Sequence, residues 1–149
     1  MRIYLDNCCY NRQHDESVSN EISKDKSAFI KIKKEIILKN IELATSFMLH
    51  YENNQNKNIN NRNNNDFLIR NYRTIYIGVD SIEKLKILVD EIILSGIKQK
   101  DAYHIASAIL SDCDYFITVD KKLLKYKTDK VKIINLVDFV KILEADNND

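Results

Sequence analysis

The sequence has few cysteines and histidines, and none stands at a spacing typical of a disulfide framework or a zinc site. The cysteines are odd in number, form no CxxC pair, and include two adjacent residues, which rarely bridge each other. The three histidines are scattered along the chain. Reduced thiols are therefore expected at Cys8, Cys9 and Cys113, and a structural zinc is not expected.

Long hydrophobic runs and a large net charge of either sign are also absent. The apolar runs span a few residues each, so we expect neither a membrane span nor a signal peptide. The 23 basic and 22 acidic side chains nearly cancel, so the overall charge does not indicate a nucleic acid partner. What remains is a globular composition, 44% hydrophobic and 30% charged. It predicts a cytoplasmic protein with one domain over residues 1–149.

The hydrophobic pattern alternates between strand-like and helical periods. Strands separated by helices predict an α/β/α sandwich with a mostly parallel central sheet, in which ligands bind beyond the carboxyl ends of the strands. An asparagine-rich stretch, residues 53–65, is predicted to be a helix end and a polar loop on the mobile surface, and the segment 7–20 is predicted to be a polar loop. The predicted strands cover residues 2–5, 41–45, 74–79, 115–119 and 131–134. The predicted helices include residues 28–37, 46–52, 66–72, 81–94, 101–110, 122–126 and 137–143.

Three aspartates are predicted to share one edge of this sheet. Asp6 and Asp120 each follow a predicted strand, and Asp101 opens a helix that runs antiparallel to the strands. Taken singly, each is also explained as a helix cap or a turn residue. Three carboxylates without cationic partners would repel one another and raise their pKa values, which is usually tolerated where a divalent cation neutralises the charge.

An all-oxygen ligand set of this kind favours Mg²⁺ or Mn²⁺ over softer metals. Such ions bind through a few carboxylates together with phosphate oxygens of the substrate, and they activate water for attack on a phosphoryl group. The aspartates therefore predict hydrolysis of a phosphodiester bond.

Four short motifs, taken in order, resemble those of the PIN-domain nucleases. They read IYLDNCCYNR, SFMLHYENNQN, KDAYHIASAI and CDYFITVDKKLL, and the resemblance spans residues 3 to about 139. Each motif is short, and their order, spacing and placement on strands and helices carry the resemblance. It implies a PIN-like fold and a catalytic cluster that holds Mg²⁺ or Mn²⁺, formed by Asp6, Glu52, Asp101 and Asp120.

Three further assignments accompany this resemblance. Glu52 comes from it rather than from periodicity, and is preferred to the competing acid Glu42 because it follows apolar helix residues as the family's helix acid does. Thr118 stands two residues before the last acid, where its hydroxyl can bond a carboxylate, although a β-branched strand residue explains it equally well. Asn7 stands where such proteins often have a hydroxyl residue, and its amide can orient the preceding carboxylate.

Several basic residues flank the acidic motifs. Arg12, in the loop after the first acid, is favoured for bidentate contact with a phosphate, and Lys121 is a second candidate for substrate binding. Exposed lysines are equally explained as solvated surface. His104 is attributed to packing or to a hydrogen bond behind the site rather than to a general base.

The leading hypothesis is a metal-dependent PIN-type endoribonuclease that cuts RNA. The resemblance to the toxins of bacterial toxin-antitoxin pairs implies a small antitoxin that covers the site, and a homodimer. The alternative is a non-catalytic module of the same fold that binds RNA or a protein. An aspartyl-phosphate phosphohydrolase is less favoured, because the segment DNCCY lacks a second aspartate two residues after the first.

Overall fold

The computed structural model describes residues 1–147 and contains one five-stranded sheet. Its strands are β1 (Arg2–Leu5), β2 (Glu42–Ser46), β3 (Ile75–Ile77), β4 (Tyr115–Ile117) and β5 (Lys132–Ile134). The strand order is β3-β2-β1-β4-β5, and every neighbouring pair is parallel. From β1 the chain builds outward to one side, then crosses back to build the other. The topological switch point, where open sheets bind ligands, therefore lies between β1 and β4.

Helices cover both faces of this sheet. They are α1 (Asn7–Arg12), α2 (Asn20–Ile37), α3 (Phe47–Asn54), α4 (Ile59–Asn71), α5 (Ile82–Leu94), α6 (Gln99–Leu110), α7 (Lys121–Leu124) and α8 (Leu136–Asn147), with a 3-10 turn at Val79–Ser81. Successive side chains of β1 point to opposite faces, so Ile3 packs in the core layer of Phe29 and Phe139, whereas Tyr4 packs in the layer of Phe116. The predicted α/β sandwich is confirmed, with a sheet that is entirely parallel.

Two segments that were predicted to be loops are helical. Residues 7–12 form α1 because the Asp6 carboxylate accepts a hydrogen bond from the Asn7 backbone and caps the helix. Most of the asparagine-rich stretch belongs to α3 and α4, and both Asn53 and Asn65 are buried. The predicted loop is therefore wrong for residues 7–12 and holds for residues 13–19, and the expectation that residues 53–65 lie on the surface is wrong for Asn53 and Asn65.

Two isoleucines are more exposed than the helical pattern predicts. The helical period of the apolar residues places Ile37 of α2 and Ile93 of α5 on the buried stripes of their helices, but these side chains are 40% and 39% exposed. Each lies one residue beyond a buried isoleucine, and the rotation of about 100° per residue carries its side chain to the edge of the stripe.

Across residues 1–147, no helix has the length and apolar character that a membrane crossing needs. The cytoplasmic location stays a prediction. The single domain over residues 1–149 also stays a prediction, and its last two residues lie outside the described part of the chain.

Candidate functional site

Asp6, Thr118 and Asp120 meet at the switch point between β1 and β4. Asp6 is 5% exposed, and its Oδ2 accepts a hydrogen bond of 2.8 Å from the Thr118 hydroxyl. The same hydroxyl oxygen accepts the backbone N–H of Asp120 at 3.0 Å. Asp120 in turn caps α7, because its Oδ1 accepts the Lys122 N–H at 2.8 Å. Thr118 therefore links the two acidic segments and fixes the orientation of the Asp6 carboxylate.

Glu52 is held at this edge by a buried histidine. His104 is fully buried on α6, and its Nε2 lies 2.7 Å from Oε1 of Glu52. Its Nδ1 lies 2.6 Å from the Tyr4 hydroxyl, which lies 2.7 Å from Oγ of Ser46. The chain of hydrogen bonds ends at the Leu49 N–H, which donates to Ser46 at the start of α3. A continuous polar network thus runs from the start of α3 through Tyr4 and His104 in the core to the Glu52 carboxylate near the end of the same helix.

The pKa values of Glu52 and His104 shift in the directions expected for an ion pair. Burial tends to raise the pKa of Glu52, but the hydrogen bond and charge of His104, together with Lys100 and Asn7, outweigh it and lower that pKa. Burial tends to lower the pKa of His104, but Glu52 and the charges of Asp6 and Asp101 outweigh it and raise that pKa. Both shifts favour a carboxylate paired with an imidazolium.

Asp101 lies in the first turn of α6 and is half-buried among the other acids. Burial raises its pKa, and the negative charges of Asp6, Asp120 and Glu52 raise it further against the opposing charge of His104. All four predicted acids are therefore close enough to affect one titration. Within residues 1–147, however, no group of three or more His, Cys, Asp or Glu side chains is arranged to hold a metal ion.

The remaining predicted residues have varied surroundings. Glu42, the acid that was set aside in favour of Glu52, pairs with Arg2 at 2.8 Å where β2 begins, at the opposite edge of the sheet. The Asn7 side chain contributes to the lowered pKa of Glu52. Lys121 is exposed at the start of α7, next to Asp120.

Arg12 is occupied by carboxylates of its own. Its Nε lies 3.2 Å from Asp25, which is 6% exposed, and its Nη1 lies 3.6 Å from Asp15. Burial raises the pKa of Asp25 although the charge of Arg12 opposes the rise. The phosphate contact proposed for Arg12 stays a prediction, and it would compete with these two partners.

A buried amide cluster was missed by the sequence reading. Asn65 on α4 is fully buried, and its Nδ2 donates to Oδ1 of Asn11 at 2.9 Å and to Oδ1 of Asn53 at 3.2 Å. Its own Oδ1 accepts from His14 at 2.9 Å and from Gln13 at 3.2 Å. Every hydrogen-bonding position of this amide is used, and the cluster ties α1, α3 and α4 together beside Glu52.

Replacing Asn65 with alanine is expected to lower the free energy of unfolding by about 2 kcal/mol, because it leaves buried partners without hydrogen bonds. The neighbouring Asn64→Ala substitution, on the exposed side of α4, is the matched control and should change it by less than about 0.5 kcal/mol. Urea unfolding measures both. Equal effects in the two variants would show that the cluster adds nothing to stability.

Comparisons with known proteins identify a fold but no family. No protein-family model matches the chain, and no curated protein matches it at a significant level. The structure is similar to a chain of VapBC2 from Rickettsia felis bound to a DNA fragment from their promoter, with a TM-score of 0.59 and 15% identity over 91% of this chain and 98% of that one. It is also similar to a chain of FitAcB from Neisseria gonorrhoeae, with a TM-score of 0.53 and 14% identity over 90% and 97%.

These findings correct the assignment to the PIN-domain nuclease family, including its toxins. That assignment does not stand, because no family model supports the four motifs and the similar structures share only 15% and 14% of their residues with this chain. The comparisons therefore show that the chain shares its fold with a chain of each of these two structures.

Proposed function

We propose that this protein is a metal-dependent endoribonuclease that belongs to a toxin-antitoxin pair. The observation that carries the proposal is that Asp6, Glu52, Asp101 and Asp120 lie together at the switch point, where burial and the charges of the other three acids raise the pKa of Asp101. Like charges gathered in a crevice are a cost to folding, and they are usually retained where they act on a ligand.

Asp6, Glu52, Asp101 and Asp120 would hold Mg²⁺ or Mn²⁺, whose preference for carboxylate oxygens matches this set. When bound, such an ion supplies an activated water and neutralises charge on the phosphoryl group. The protein's own groups would orient the carboxylates: the Thr118 hydroxyl fixes Asp6, and His104 fixes Glu52. Lys121, next to Asp120, would contact a phosphate of the substrate, and Arg12 would do so if released from its carboxylates.

The proposed function implies three binding partners: a substrate, an antitoxin and a second copy of this chain. The substrate would be RNA, and a small antitoxin would cover the acidic edge, in keeping with the two-component complexes that share this fold. A homodimer of this chain is part of the proposal, which sedimentation of the purified protein would test.

A non-catalytic module that binds RNA or a protein is the second candidate. It is favoured by one observation, the lack within residues 1–147 of three side chains arranged to hold a metal. Against it stands the electrostatic cost of the acids, since carboxylates without a metal repel the phosphates of RNA.

Metal dependence separates the two functions. We expect labelled single-stranded RNA to be cleaved in Mn²⁺ and to stay intact when EDTA removes the ion. Calorimetric titration with Mn²⁺ should give binding heat that Asp101→Asn removes and that Asp90→Asn, a change at an exposed aspartate of α5, leaves intact. RNA binding without cleavage, together with no heat that depends on Asp101, would establish the binding module instead.

A further inference from the structure

A polar cavity of about 490 Å³ lies beside the acidic edge. It shares Glu52 and Asn7 with that edge, so a molecule seated in it would adjoin the four acids. None of the described side chains in its wall is apolar. The rest of the wall consists of Asn11, His14, Asp15, Gln55, Asn56 and Asn61, four of which are amides.

The wall is held in place from behind by the buried amide cluster. Asn65 fixes Asn11 through one hydrogen bond of 2.9 Å and His14 through another of 2.9 Å. Asn56 adds a hydrogen bond of 3.3 Å to the same Asn11 oxygen. Because these groups are ordered before any ligand arrives, a ligand would bind without the entropic cost of ordering them.

One acceptor at the junction of the cavity and the acidic edge lacks a partner. Oδ1 of Asn7 is buried and accepts no hydrogen bond from any residue in the described range. A buried acceptor without a partner is unfavourable, so a rotation of the Asn7 side chain that brings this oxygen to a donor on a ligand would stabilise it. The cap of α4 is Asn58, whose Oδ1 accepts a hydrogen bond from the Asn61 backbone N–H. The side-chain amide of Asn61 is therefore not needed to cap the helix.

We propose that this cavity binds a nucleobase of single-stranded RNA next to the phosphodiester at the acidic edge; this inference rests on the proposed function. Amide side chains offer a donor and an acceptor side by side, which match the edges of bases, and unpaired bases of RNA are recognised in this way. A protein segment fits less well, because protein interfaces are anchored by apolar and aromatic groups that this wall lacks.

Nuclear magnetic resonance of the side-chain amides tests base binding directly. The four nucleoside 5′-monophosphates are titrated into the wild type and into Asp101→Asn, with ribose 5-phosphate as the probe without a base. We expect at least one nucleotide to shift the amide signals of Gln55 and Asn61 in both proteins, and ribose 5-phosphate to leave them unchanged. The double substitution Gln55→Ala and Asn61→Ala should weaken that nucleotide about tenfold. The control pair Asn54→Ala and Asn64→Ala, at exposed positions outside the cavity wall, should not.

Cleavage of a mixed-sequence single-stranded RNA in Mn²⁺ is the second test of base binding in the cavity. The wild type should prefer one base at a fixed position beside the cut, and the double substitution in the cavity should remove the preference. Cleavage without any base preference, or equal shifts with ribose 5-phosphate, would overturn this inference and leave the proposed function standing. Nucleotide binding in the cavity without cleavage would support the base site and overturn the proposed function.

Discussion

Replacing Asp101 with asparagine is expected to slow Mn²⁺-dependent RNA cleavage by about a thousandfold, the scale of loss seen when one electrostatic group of an active site is removed. The same substitution is expected to raise the melting temperature by about 3 °C. Asparagine keeps the size of the side chain but removes a half-buried charge that Asp6, Asp120 and Glu52 repel. The gain should exceed the favourable interaction of Asp101 with the start of α6, which is worth less than about 1 kcal/mol.

The stability advantage of Asp101→Asn should depend on pH. A carboxyl group whose pKa is raised in the folded state destabilises the fold as the pH rises from its ordinary value of 3.8 through the raised value. The advantage of Asp101→Asn should therefore be present at pH 7 and absent at pH 3, where wild-type Asp101 is protonated. Thermal unfolding at both pH values measures it, with Asp90→Asn as the control. If Asp101→Asn is inactive but less stable than the wild type at pH 7, the charge of Asp101 does not destabilise the fold.

The strands and the inward helix faces could be predicted because they depend on local periodicity. In α2, the buried Phe29, Ile32 and Ile36 repeat at helical spacing, and in β1 the alternation of faces places Tyr4 opposite Leu5. The convergence of Asp6 and Asp120 at one edge follows from parallel pairing, since both come directly after the paired strands β1 and β4. These features require only chain order and topology.

The amide cluster could not be predicted in the same way. Asparagine is typical of turns, so a stretch of nine asparagines in residues 53–65 indicates a loop unless tertiary partners are known. Those partners are distant, because Asn11 lies 54 residues before Asn65. A weaker signal was available: Asn65, Leu68 and Ile69 repeat at helical spacing and are all buried on α4. The amide belongs to the stripe that continues into apolar residues.

The contacts of His104 and Glu52 could not be predicted either, because their partners are distant in the sequence. Hydrogen bonding behind the site was one of two readings for His104, but its partners Glu52 and Tyr4 are 52 and 100 residues away. Glu52 itself was selected by resemblance to a family that the comparisons do not support. Its position at the acidic edge now depends on a contact within the structure, the 2.7 Å hydrogen bond from His104.

Replacing His104 with alanine is therefore expected to lower the free energy of unfolding by about 3 kcal/mol, because it leaves Glu52 and the buried Tyr4 hydroxyl without their partner. The melting temperature should fall by about 10 °C. Tyr4→Phe keeps the ring and removes only the hydroxyl, so it should cost about 1 kcal/mol. Unfolding in urea with circular dichroism measures all three proteins.

The effect of His104→Ala should also depend on pH. A histidine whose pKa is raised in the folded state adds stability that is complete below its ordinary pKa of 6.5 and disappears as the pH rises through the raised value. The difference between wild type and His104→Ala should thus be larger at pH 6 than at pH 9. Glu52→Gln, which removes the charge that His104 faces, should abolish most of this pH dependence while the packing of α6 remains. A constant difference between wild type and His104→Ala at all pH values would show that His104 acts through packing alone, and Glu52 would then owe its position to some other contact.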